Sequence, residues 1–555
     1  MRSLALPAAL ALAAAGGAWG FDPRTGDFER ADPAHVRVVS YNVERNFIAT
    51  PDRDPAFQRI FLALRPDVIA FQEIPLTLAS NNTARAAAIK ARLESYFPGQ
   101  TWTVAMGQSD GFIQCALATR FPLSLTRTDT SPASEVRGVL CGLVDLPDAV
   151  FGGANLYAMN VHFKSGGTES DHQRRQVHAD AVASWMRDLR TAGGTITLPA
   201  GTPLVALGDF NLGFEDQGDL APYFSMRTLL DGDLFDNATW GADGPQDWDG
   251  TRLGDAAPYD WNNNRSWTQP SSGPDSRLDR IYFTDSVLRA ESVFILNSAT
   301  MSAGALAAAG LQSGDSANAA DHLPLVADFA PGATEPPRVL INEFSFNDIG
   351  GDDRTFVELV NLSGTPVNLE APDDYWLALS NSALPTSAPG SENESSRIDL
   401  RGIVPPNGVF VLYDGNASSA AIAAPIESAT DSRHRQDTAF SLTNFDDSAL
   451  ALLRVDSTDL AARRDAVVEA YLYAATTPQT SRYFRTASAT SATITLGTAQ
   501  QTTFGAGSAP SDQALARFLG DGSANDFAGW GIPRDATPGL PNGPAPGSGS
   551  GWFLY

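Results

Sequence analysis

Lysine is nearly absent from this chain of 555 residues, since Lys90 and Lys164 are the only two. Arginine does not make up the deficit: 38 basic side chains stand against 64 acidic ones, and the formal net charge is −26 at pH 7. Such a surface gives a polyanionic substrate no long-range attraction. Any phosphate chemistry must therefore depend on a local cluster of arginines or on bound cations.

Long apolar runs are also scarce. The Ala/Leu-rich run at residues 4–15 is too short to span a bilayer. Arg2 precedes it, and Ala18-Trp19-Gly20 follows with small residues, which is the pattern of a cleaved signal peptide. We therefore predict a signal peptide over residues 1–20, no stable membrane span, and a secreted protein that is extracellular or periplasmic.

Cysteine is as rare as lysine, with Cys115 and Cys141 the only two. Each lies in a segment with the pattern of a strand, at 112–119 and 138–146, and the residues between them could close a hairpin. In an exported chain, a single disulfide between them is the favoured prediction, and two free buried thiols are the alternative.

A chain of this length is too long for one hydrophobic core, so at least two domains are expected. Between residues 36 and 330, strand patterns alternate with helical ones, which predicts an α/β domain. The helical pattern then largely stops. Short alternating segments separated by Gly, Pro, Asn and Ser predict an all-β sandwich over 336–543. Residues 544–555 are predicted to form a flexible tail.

One apolar strand pattern of the first domain ends in Gly208-Asp209-Phe210-Asn211. Alternation along a strand would place Asp209 and Asn211 on the same side, where both could take part in a site. The alternative is a buried strand that continues into an ordinary Asp/Asn-rich turn. Residues elsewhere in the chain must decide between these two interpretations.

Polar residues recur where the other predicted strands of this domain begin or end. Each has a simple structural explanation when taken alone; an acid between two arginines, for example, is usually a surface ion pair. Together they are dominated by carboxylates and carboxamides, the ligands that a hard cation prefers, so Mg²⁺, Mn²⁺ or Ca²⁺ is favoured over zinc. The residues are Asn42, Glu44, Glu73, His162, Asp279, Asp321 and His322.

Six blocks that carry these residues occur in a characteristic order. They are Ser-Tyr-Asn-Val-Glu (40–44), Pro-Asp-Val-Ile-Ala-Phe-Gln-Glu (66–73), Asn-Val-His-Phe-Lys-Ser (160–165), Gly-Asp-Phe-Asn (208–211), Ser-Arg-Leu-Asp-Arg-Ile (276–281) and Asp-His (321–322). In this order they resemble the endonuclease/exonuclease/phosphatase superfamily, which includes deoxyribonucleases, abasic-site endonucleases, sphingomyelinases and inositol polyphosphate phosphatases. The resemblance implies a four-layer α/β/β/α sandwich, with the site at one end of two packed sheets.

The resemblance also implies a metal centre and a phosphate site. Glu73 would bind the metal, with help from Asn42 and Glu44, and Asp321 would bind metal or tune the neighbouring histidine. The ion would be Mg²⁺, or Mn²⁺ or Ca²⁺. Asn42, Asn211 and Lys164 would contact the substrate phosphate, although Lys164 taken alone is simply a solvated side chain.

Catalytic roles follow from the same resemblance. Asp209 would orient or deprotonate the attacking water, and Asn211 would hold phosphate or metal. His322, paired with Asp279, would stabilise the transition state, and His162 would help to protonate the leaving group. Deoxyribonucleases pair this last histidine with a glutamate from an earlier strand. Here residues 107–114 offer only Asp110 as an acid, so the partner of His162 stays open.

The second domain has a resemblance of its own. Residues 339–343, 356–361 and the closing 530–542 resemble a lamin-tail domain, an immunoglobulin-like β-sandwich that is often appended to secreted bacterial nucleases. No catalytic set of residues stands out in it. The resemblance implies an accessory role, such as binding to a cell surface or to an unknown partner.

The leading prediction is a secreted, metal-dependent nuclease that cleaves DNA, with RNA as a further substrate. The alternative is a phospholipid phosphodiesterase of the sphingomyelinase type, or a phosphomonoesterase, with the same site. A membrane-active enzyme would expose aromatic residues beside the cleft, and Trp261 and Trp267 are the candidates. A non-catalytic adhesion protein is a third reading, against which the complete set of site residues argues.

Overall fold

The structure is a computed structural model. It describes residues 21–129, 137–212, 222–263, 265–270 and 277–333, and then shorter segments of the C-terminal part: 339–347, 356–363, 365–369, 375–380, 396–406, 408–414, 434–437, 448–456, 464–474, 481–485, 491–495, 501–503, 513–517 and 530–535. The predicted signal peptide (1–20) and flexible tail (544–555) lie outside the described residues.

The first part of the chain is a mixed α/β fold. Its strands are β1 (Val36–Asn42), β2 (Val68–Pro75), β3 (Thr103–Ser109), β4 (Ile113–Thr119), β5 (Leu123–Asp129), β6 (Val139–Val144), β7 (Leu156–His162), β8 (Leu204–Asp209), β9 (Gly254–Asp255), β10 (Asp279–Phe283), β11 (Leu288–Ile295) and β12 (Leu325–Pro331). Its helices are α1 (Asp54–Leu64), α2 (Asn82–Tyr96), α3 (Asp148–Phe151), α4 (Glu169–Arg190), α5 (Ser225–Asp231), α6 (Asn237–Trp240), α7 (Ala303–Ala309) and α8 (Asp315–Ala319).

These strands form two six-stranded sheets, in the orders β11-β12-β1-β2-β4-β3 and β5-β6-β7-β8-β10-β9. One apolar cluster contains side chains from both sheets, among them Val38, Ala70 and Leu207, so the sheets pack face to face. Alternate residues of the same strands, such as Val39 and Ile69, point to the opposite face. Burial on both faces explains why these strands read as continuous apolar runs.

Helices cover the outer faces of the two sheets. Phe57 and Phe61 of α1 pack on the first sheet, and Val182 of α4 packs on the second. α1 has a proline in its N-terminal turn, and Arg65 closes it with a left-handed φ of 49°. None of the described helices is long and apolar enough to cross a membrane.

The predicted disulfide is wrong, because Cys115 and Cys141 are buried and form no disulfide with each other. Their strands do not pair: β4 belongs to the first sheet and β6 to the second. Cys115 points into the core between the sheets, whereas Cys141 lies in the cluster that packs under α4. Burial raises the pKa of the Cys115 thiol to about 12, so this thiol is unreactive.

The C-terminal part is built from β-strands in its described segments: β13 (Val339–Asn347), β14 (Phe356–Asn361), β15 (Val367–Asn368), β16 (Tyr375–Ser380), β17 (Ser396–Asp399), β18 (Ile403–Val404), β19 (Val409–Asp414), β20 (His434–Asp437), β21 (Ser448–Asp456), β22 (Arg464–Ala474), β23 (Ser481–Arg485), β24 (Ser491–Thr495), β25 (Gln501–Thr503), β26 (Gln513–Arg517) and β27 (Trp530–Asp535). They have an apolar cluster of their own, which includes Ile341, Leu359 and Leu450. Ile403 also packs with Ala257 and Tyr259 of the first part.

Strand register brings polar residues of the first part together at one end of the sheets. β7 and β8 are parallel, with His162 opposite Asp209, and β8 and β10 are antiparallel, with Asp279 opposite Asp209. β1 and β2 are parallel, with Asn42 opposite Gln72, so Glu73 follows at the same end. The candidate site therefore lies where β1, β2, β7 and β8 end and β10 begins.

Candidate active site

Asp209 lies at the centre of this group and is almost completely buried. Its Oδ2 accepts a hydrogen bond from Nδ2 of Asn42 at 3.0 Å and lies 3.3 Å from Nε2 of His162. Nε2 of His322 is 3.9 Å from the same oxygen. One carboxylate oxygen thus faces two imidazoles and one carboxamide, drawn from three distant segments of the chain.

Gly208 explains how β8 can end in this position. Its φ is 144°, and a Cβ at this residue would lie 2.0 Å from the carbonyl oxygen of Val161 on the neighbouring strand. Any larger residue would push β7 and β8 apart just before Asp209 and His162. The glycine is therefore required by the close approach of two backbones.

Asn211 is connected to Asp209 by a turn. β8 ends at Asp209, so the prediction from strand alternation does not apply to Asn211, whose φ is 52°. The backbone N–H of Asn211 donates to Oδ1 of Asp209 at 2.9 Å, and its Nδ2 donates to the carbonyl of Phe163 at 3.2 Å. The turn thereby fixes the second oxygen of Asp209.

Glu73 is aimed into the site by a β-bulge. The pairing of β2 with β4 shifts between Phe71 and Ile74, and Glu73 has a left-handed φ of 61°. Its Oε1 lies 3.4 Å from Nδ2 of Asn42 and 4.0 Å from Nε2 of His162. The side chain remains 22% exposed, so the carboxylate is accessible from solvent. A non-glycine residue at positive φ beside a cleft is typical of functional sites.

Asp279 and His322 form a buried ion pair, with Nδ1 of the histidine 2.7 Å from Oδ2 of the acid. Burial alone would lower the pKa of His322, but the charge of Asp279 and its hydrogen bond outweigh burial, with further help from Asp209 and Asp321. The net effect raises the pKa of His322 to about 10. This imidazole therefore carries a proton and a positive charge at neutral pH.

His162 has the opposite tendency. Burial lowers its pKa well below the usual value, and electrostatic interactions with Arg137, His322 and His178 lower it further. Its carboxylate neighbours are Asp209 and Glu73. Asp110 instead lies 3.5 Å from the guanidinium of Arg137.

The pKa of Asp209 is raised to about 7, mainly by burial. His322 and the hydrogen bonds from Asn42 and Asn211 lower it, while Asp279 raises it. A carboxylate that titrates near neutrality can take up a proton during turnover at working pH.

Three predicted site residues are engaged elsewhere. Glu44 accepts a hydrogen bond from Asn46 at 2.9 Å, and its carboxylate lies 3.5 Å from Arg53. Asp321 accepts from Nε2 of Gln269 at 3.1 Å. The ammonium of Lys164 lies 3.1 Å from Asp171, in the first turn of α4.

Arg137 was missed by the sequence analysis. Its side chain is only 12% exposed, and its charge depresses the pKa values of His162 and His178. It stands just before β6, outside all six sequence blocks. The one available signal was the scarcity of basic residues, which makes any arginine beside a strand of this domain a candidate phosphate ligand.

The chemistry of the donors is compatible with one hard cation. The described residues hold no group of three or more His, Cys, Asp or Glu side chains arranged around a common metal position. Mg²⁺ does not need such a group, because it keeps several waters and binds through one or two carboxylates plus substrate oxygens. Glu73 offers an accessible carboxylate of this kind. A cation bound there would also favour the charged form of Asp209, which burial disfavours.

The fold and the site together define a mixed α/β domain with an acid–histidine centre at one end of two packed sheets. Residues 39–309 match the model of the Endonuclease/Exonuclease/phosphatase family, so this segment is a domain of that family. Members of the family are hydrolytic phosphoesterases. No curated protein sequence matched the chain.

Several solved structures are similar to this chain. An endonuclease/exonuclease/phosphatase from Beutenbergia cavernae is 14% identical, with 79% of this chain and 99% of that chain covered and a TM-score of 0.35. The human Nocturnin catalytic domain with bound sulfate is 15% identical (54% and 94% covered, TM-score 0.34). D. rerio TDP2 complexed with a single-strand DNA product is 16% identical (53% and 99% covered, TM-score 0.33).

Proposed function

We propose that this protein is a secreted, divalent-metal-dependent phosphodiesterase that hydrolyses DNA, with RNA as a second candidate substrate. The observation that carries the proposal is the position of Asp209, whose Oδ2 lies 3.3 Å from His162 and 3.9 Å from a protonated His322. The attack of water on a phosphodiester requires a base and a nearby positive charge. Here Asp209 is the base that takes a proton from the water, and the imidazolium of His322 offsets the growing negative charge on the phosphate.

Asp209 and His322 would carry the attack. The carboxylate of Asp209 accepts a proton from the water as the new P–O bond forms in line with the leaving oxygen. The imidazolium of His322 donates from Nε2 to a non-bridging phosphoryl oxygen, and its charge is maintained by Asp279 on the other side of the ring. Burial of all three side chains strengthens these interactions.

His162 is assigned a narrower role than the family resemblance implies. With a pKa well below the usual value, the imidazole is neutral at working pH. A neutral imidazole donates a hydrogen bond to the leaving oxygen but does not supply it with an acidic proton. Of the two histidines, His322 is the one that holds a proton to give.

Glu73 would hold the divalent cation, with Asn42 beside it and Glu44 and Asp321 as more distant contributors. When bound, the ion would neutralise phosphate charge and stabilise the leaving oxygen. Asn42 also donates to Asp209, so it would connect the cation site to the base. Mg²⁺ is the ion we propose, and Mn²⁺ and Ca²⁺ are the alternatives.

Arg137 and Asn211 would bind the substrate phosphates. The chain offers no general attraction for a polyanion, so local cations must hold the nucleic acid. The Arg137 guanidinium is close enough to His162 to depress its pKa, which supports a contact with the scissile or a neighbouring phosphate. Lys164 is a weaker candidate because its ammonium is more exposed and more closely paired, at 3.1 Å from Asp171, than the Arg137 guanidinium, at 3.5 Å from Asp110.

We further propose that residues 1–20 direct export and that residues 336–543 form an immunoglobulin-like, lamin-tail accessory domain that binds a cell surface or another partner. The boundaries of the catalytic domain are proposed as 36–330, in a four-layer sandwich. N-terminal sequencing of protein recovered from the culture medium or the periplasm tests the export step: a mature N-terminus near residue 21 is expected.

Incubation of the purified full-length protein with supercoiled plasmid DNA tests the proposed activity. Nicking is expected with Mg²⁺ or Mn²⁺, and none with EDTA or with the Asp209→Asn variant. Plasmid that stays intact with every cation would contradict the proposal. A labelled RNA strand in the same assay decides the second substrate.

A phospholipid phosphodiesterase is the alternative, and one observation favours it. Phe112, at the turn between β3 and β4, is 79% exposed, and an exposed aromatic side chain at a hairpin turn is suited to insertion into a lipid surface. The predicted candidates do not fit this role, because Trp261 packs edge-on against Phe21 and Arg265 covers the ring of Trp267. Choline release from sphingomyelin vesicles without plasmid nicking would favour this alternative.

A further inference from the structure

The ion pair between Asp279 and His322 joins two segments that are not paired with each other as strands. Asp279 begins β10 in the second sheet, whereas His322 stands in the loop just before β12 of the first sheet. Among the described residues, the buried Oδ1 of Asp279 has no hydrogen-bond partner, and Oδ2 bonds to His322. The geometry of the pair therefore depends on what positions the two backbones.

Thr268 contacts both backbones. It is fully buried, and its Oγ1 accepts hydrogen bonds from the N–H groups of Leu278 and Asp279, each at 3.0 Å. Its own carbonyl accepts the N–H of Leu323 at 2.7 Å. One residue thus binds the chain at Asp279 and immediately after His322.

Gln269 adds a third connection on the histidine side. Its Nε2 donates to Oδ2 of Asp321, the residue immediately before His322. Residues 268 and 269 therefore contact the chain on both sides of His322 as well as the start of β10. The bonds to residues 278 and 279 use the Thr268 side chain, the bond to Asp321 uses the Gln269 side chain, and the backbone bond to Leu323 lies outside the strands, so none of them is made by regular sheet pairing.

We infer that Thr268 is a positioning residue of the proposed hydrolase, because it sets the placement of the Asp279–His322 pair relative to Asp209. The inference rests on the proposed function for its kinetic consequence, but its structural content can be measured without activity. A small displacement of His322 would leave substrate binding intact and misplace the donor that the transition state needs. Misplacement by about 1 Å costs about 10²-fold in rate.

The Thr268→Val variant removes the acceptor oxygen and keeps the shape of the side chain, and Thr268→Ser keeps the oxygen. With a p-nitrophenyl phosphodiester and Mg²⁺, Thr268→Val is expected to lower kcat by about 10²-fold with little change in KM. Thr268→Ser is expected to stay close to the wild type. Thr284→Val is the matched control: Thr284 is also fully buried, and its Oγ1 accepts the N–H of Leu204 at 3.0 Å, but it follows the opposite end of β10.

A second readout separates this inference from the proposed activity. The Nδ1–H of His322, bonded to Asp279, should give a downfield proton resonance that Asp279→Asn abolishes and that identifies the pair. We expect Thr268→Val to shift or broaden this resonance, while Thr268→Ser and Thr284→Val retain it. An unchanged resonance in Thr268→Val, or an equal loss of kcat in Thr268→Val and Thr284→Val, would overturn the inference. An inactive wild type with the expected pattern of resonances would refute only the proposed function.

Discussion

Nδ1 of His322 lies 2.7 Å from Oδ2 of Asp279, and this contact spans the two sheets of the domain. The pair keeps a positive charge within 3.9 Å of Asp209. The imidazolium of His322 is charged at neutral pH and lies beside Asp209, a base with a raised pKa. This combination distinguishes the centre from an ordinary cluster of strand-end acids.

Replacement of Asp279 by Asn should leave the packing intact and remove the charge that maintains the His322 proton. Burial then dominates, so the pKa of His322 falls and less of the imidazole is protonated at neutral pH. We expect kcat to fall by ~10²–10⁴-fold, the usual contribution of such a group. Steady-state kinetics on a p-nitrophenyl phosphodiester measure this. Asp148→Asn, a change at the exposed start of α3, serves as the control and should have little effect.

The pH profile of kcat should be bell-shaped. Asp209 acts as a carboxylate and its pKa is raised to about 7, so activity should appear as the pH rises through that region. His322 acts as an imidazolium and its pKa is raised to about 10, so activity should decline as the pH passes that value. A bound cation would move the acidic limb to lower pH by favouring the carboxylate. A profile without an acidic limb would argue against Asp209 as the base.

Glu73 and Glu44 should differ in their effect on metal dependence. Both carboxylates have an arginine neighbour, Arg45 at 3.6 Å for Glu73 and Arg53 at 3.5 Å for Glu44, but only Glu73 also lies beside His162 and Asn42, at 4.0 and 3.4 Å. We therefore expect Glu73→Gln to raise the Mg²⁺ concentration for half-maximal activity by at least ~10-fold. Glu44→Gln should change it much less. Titration calorimetry with Mn²⁺ provides the same comparison without substrate, and equal effects of the two changes would contradict the assignment.

The order of elements and the strand-end residues were accessible from sequence because they depend on local patterns. In α1, for example, a proline stands in the first turn and Pro66 follows shortly after the last turn. The pairing of the strands was not accessible in the same way. Cys115 and Cys141 lie in predicted strands that are real, but no local signal shows that these strands belong to different sheets.

Other parts of the site depend on tertiary contacts that leave no pattern in the sequence. The bulge that aims Glu73 arises from a shift in the pairing of β2 with β4. Thr268 lies in a stretch without periodicity, and its bonds reach residues 10 and 11 positions away. Arg137 lies outside the six sequence blocks, and only the scarcity of basic residues draws attention to it.

Gly208→Ala should be among the most damaging small substitutions in this domain. An added Cβ would lie 2.0 Å from the Val161 carbonyl oxygen, and φ at this position is 144°. We expect a loss of more than about 3 kcal/mol in the free energy of unfolding, because neither backbone can move without separating β7 from β8. Urea unfolding measures this. Gly167→Ala is the control, since nothing lies within 4 Å of its added Cβ, and a similar loss in both variants would refute the argument.

Arg137→Gln should weaken the binding of a polymer more than that of a small diester. The Arg137 guanidinium is largely buried beside Asp110, so it is held in place near His162 instead of moving freely in solvent. If it contacts one phosphate of the nucleic acid, its loss should raise KM for DNA. It should also reduce the slope of log KM against log salt concentration by the amount that one phosphate contact contributes.

Arg65→Gln is the matched control. Arg65 is exposed, pairs with Glu29 and lies before the start of β2, at the end of the strand that is far from Glu73. The decisive measurement is KM for an oligonucleotide at several salt concentrations beside KM for the p-nitrophenyl diester. An equal rise in both KM values would place Arg137 at the scissile phosphate itself, and no rise in either would remove it from the substrate site.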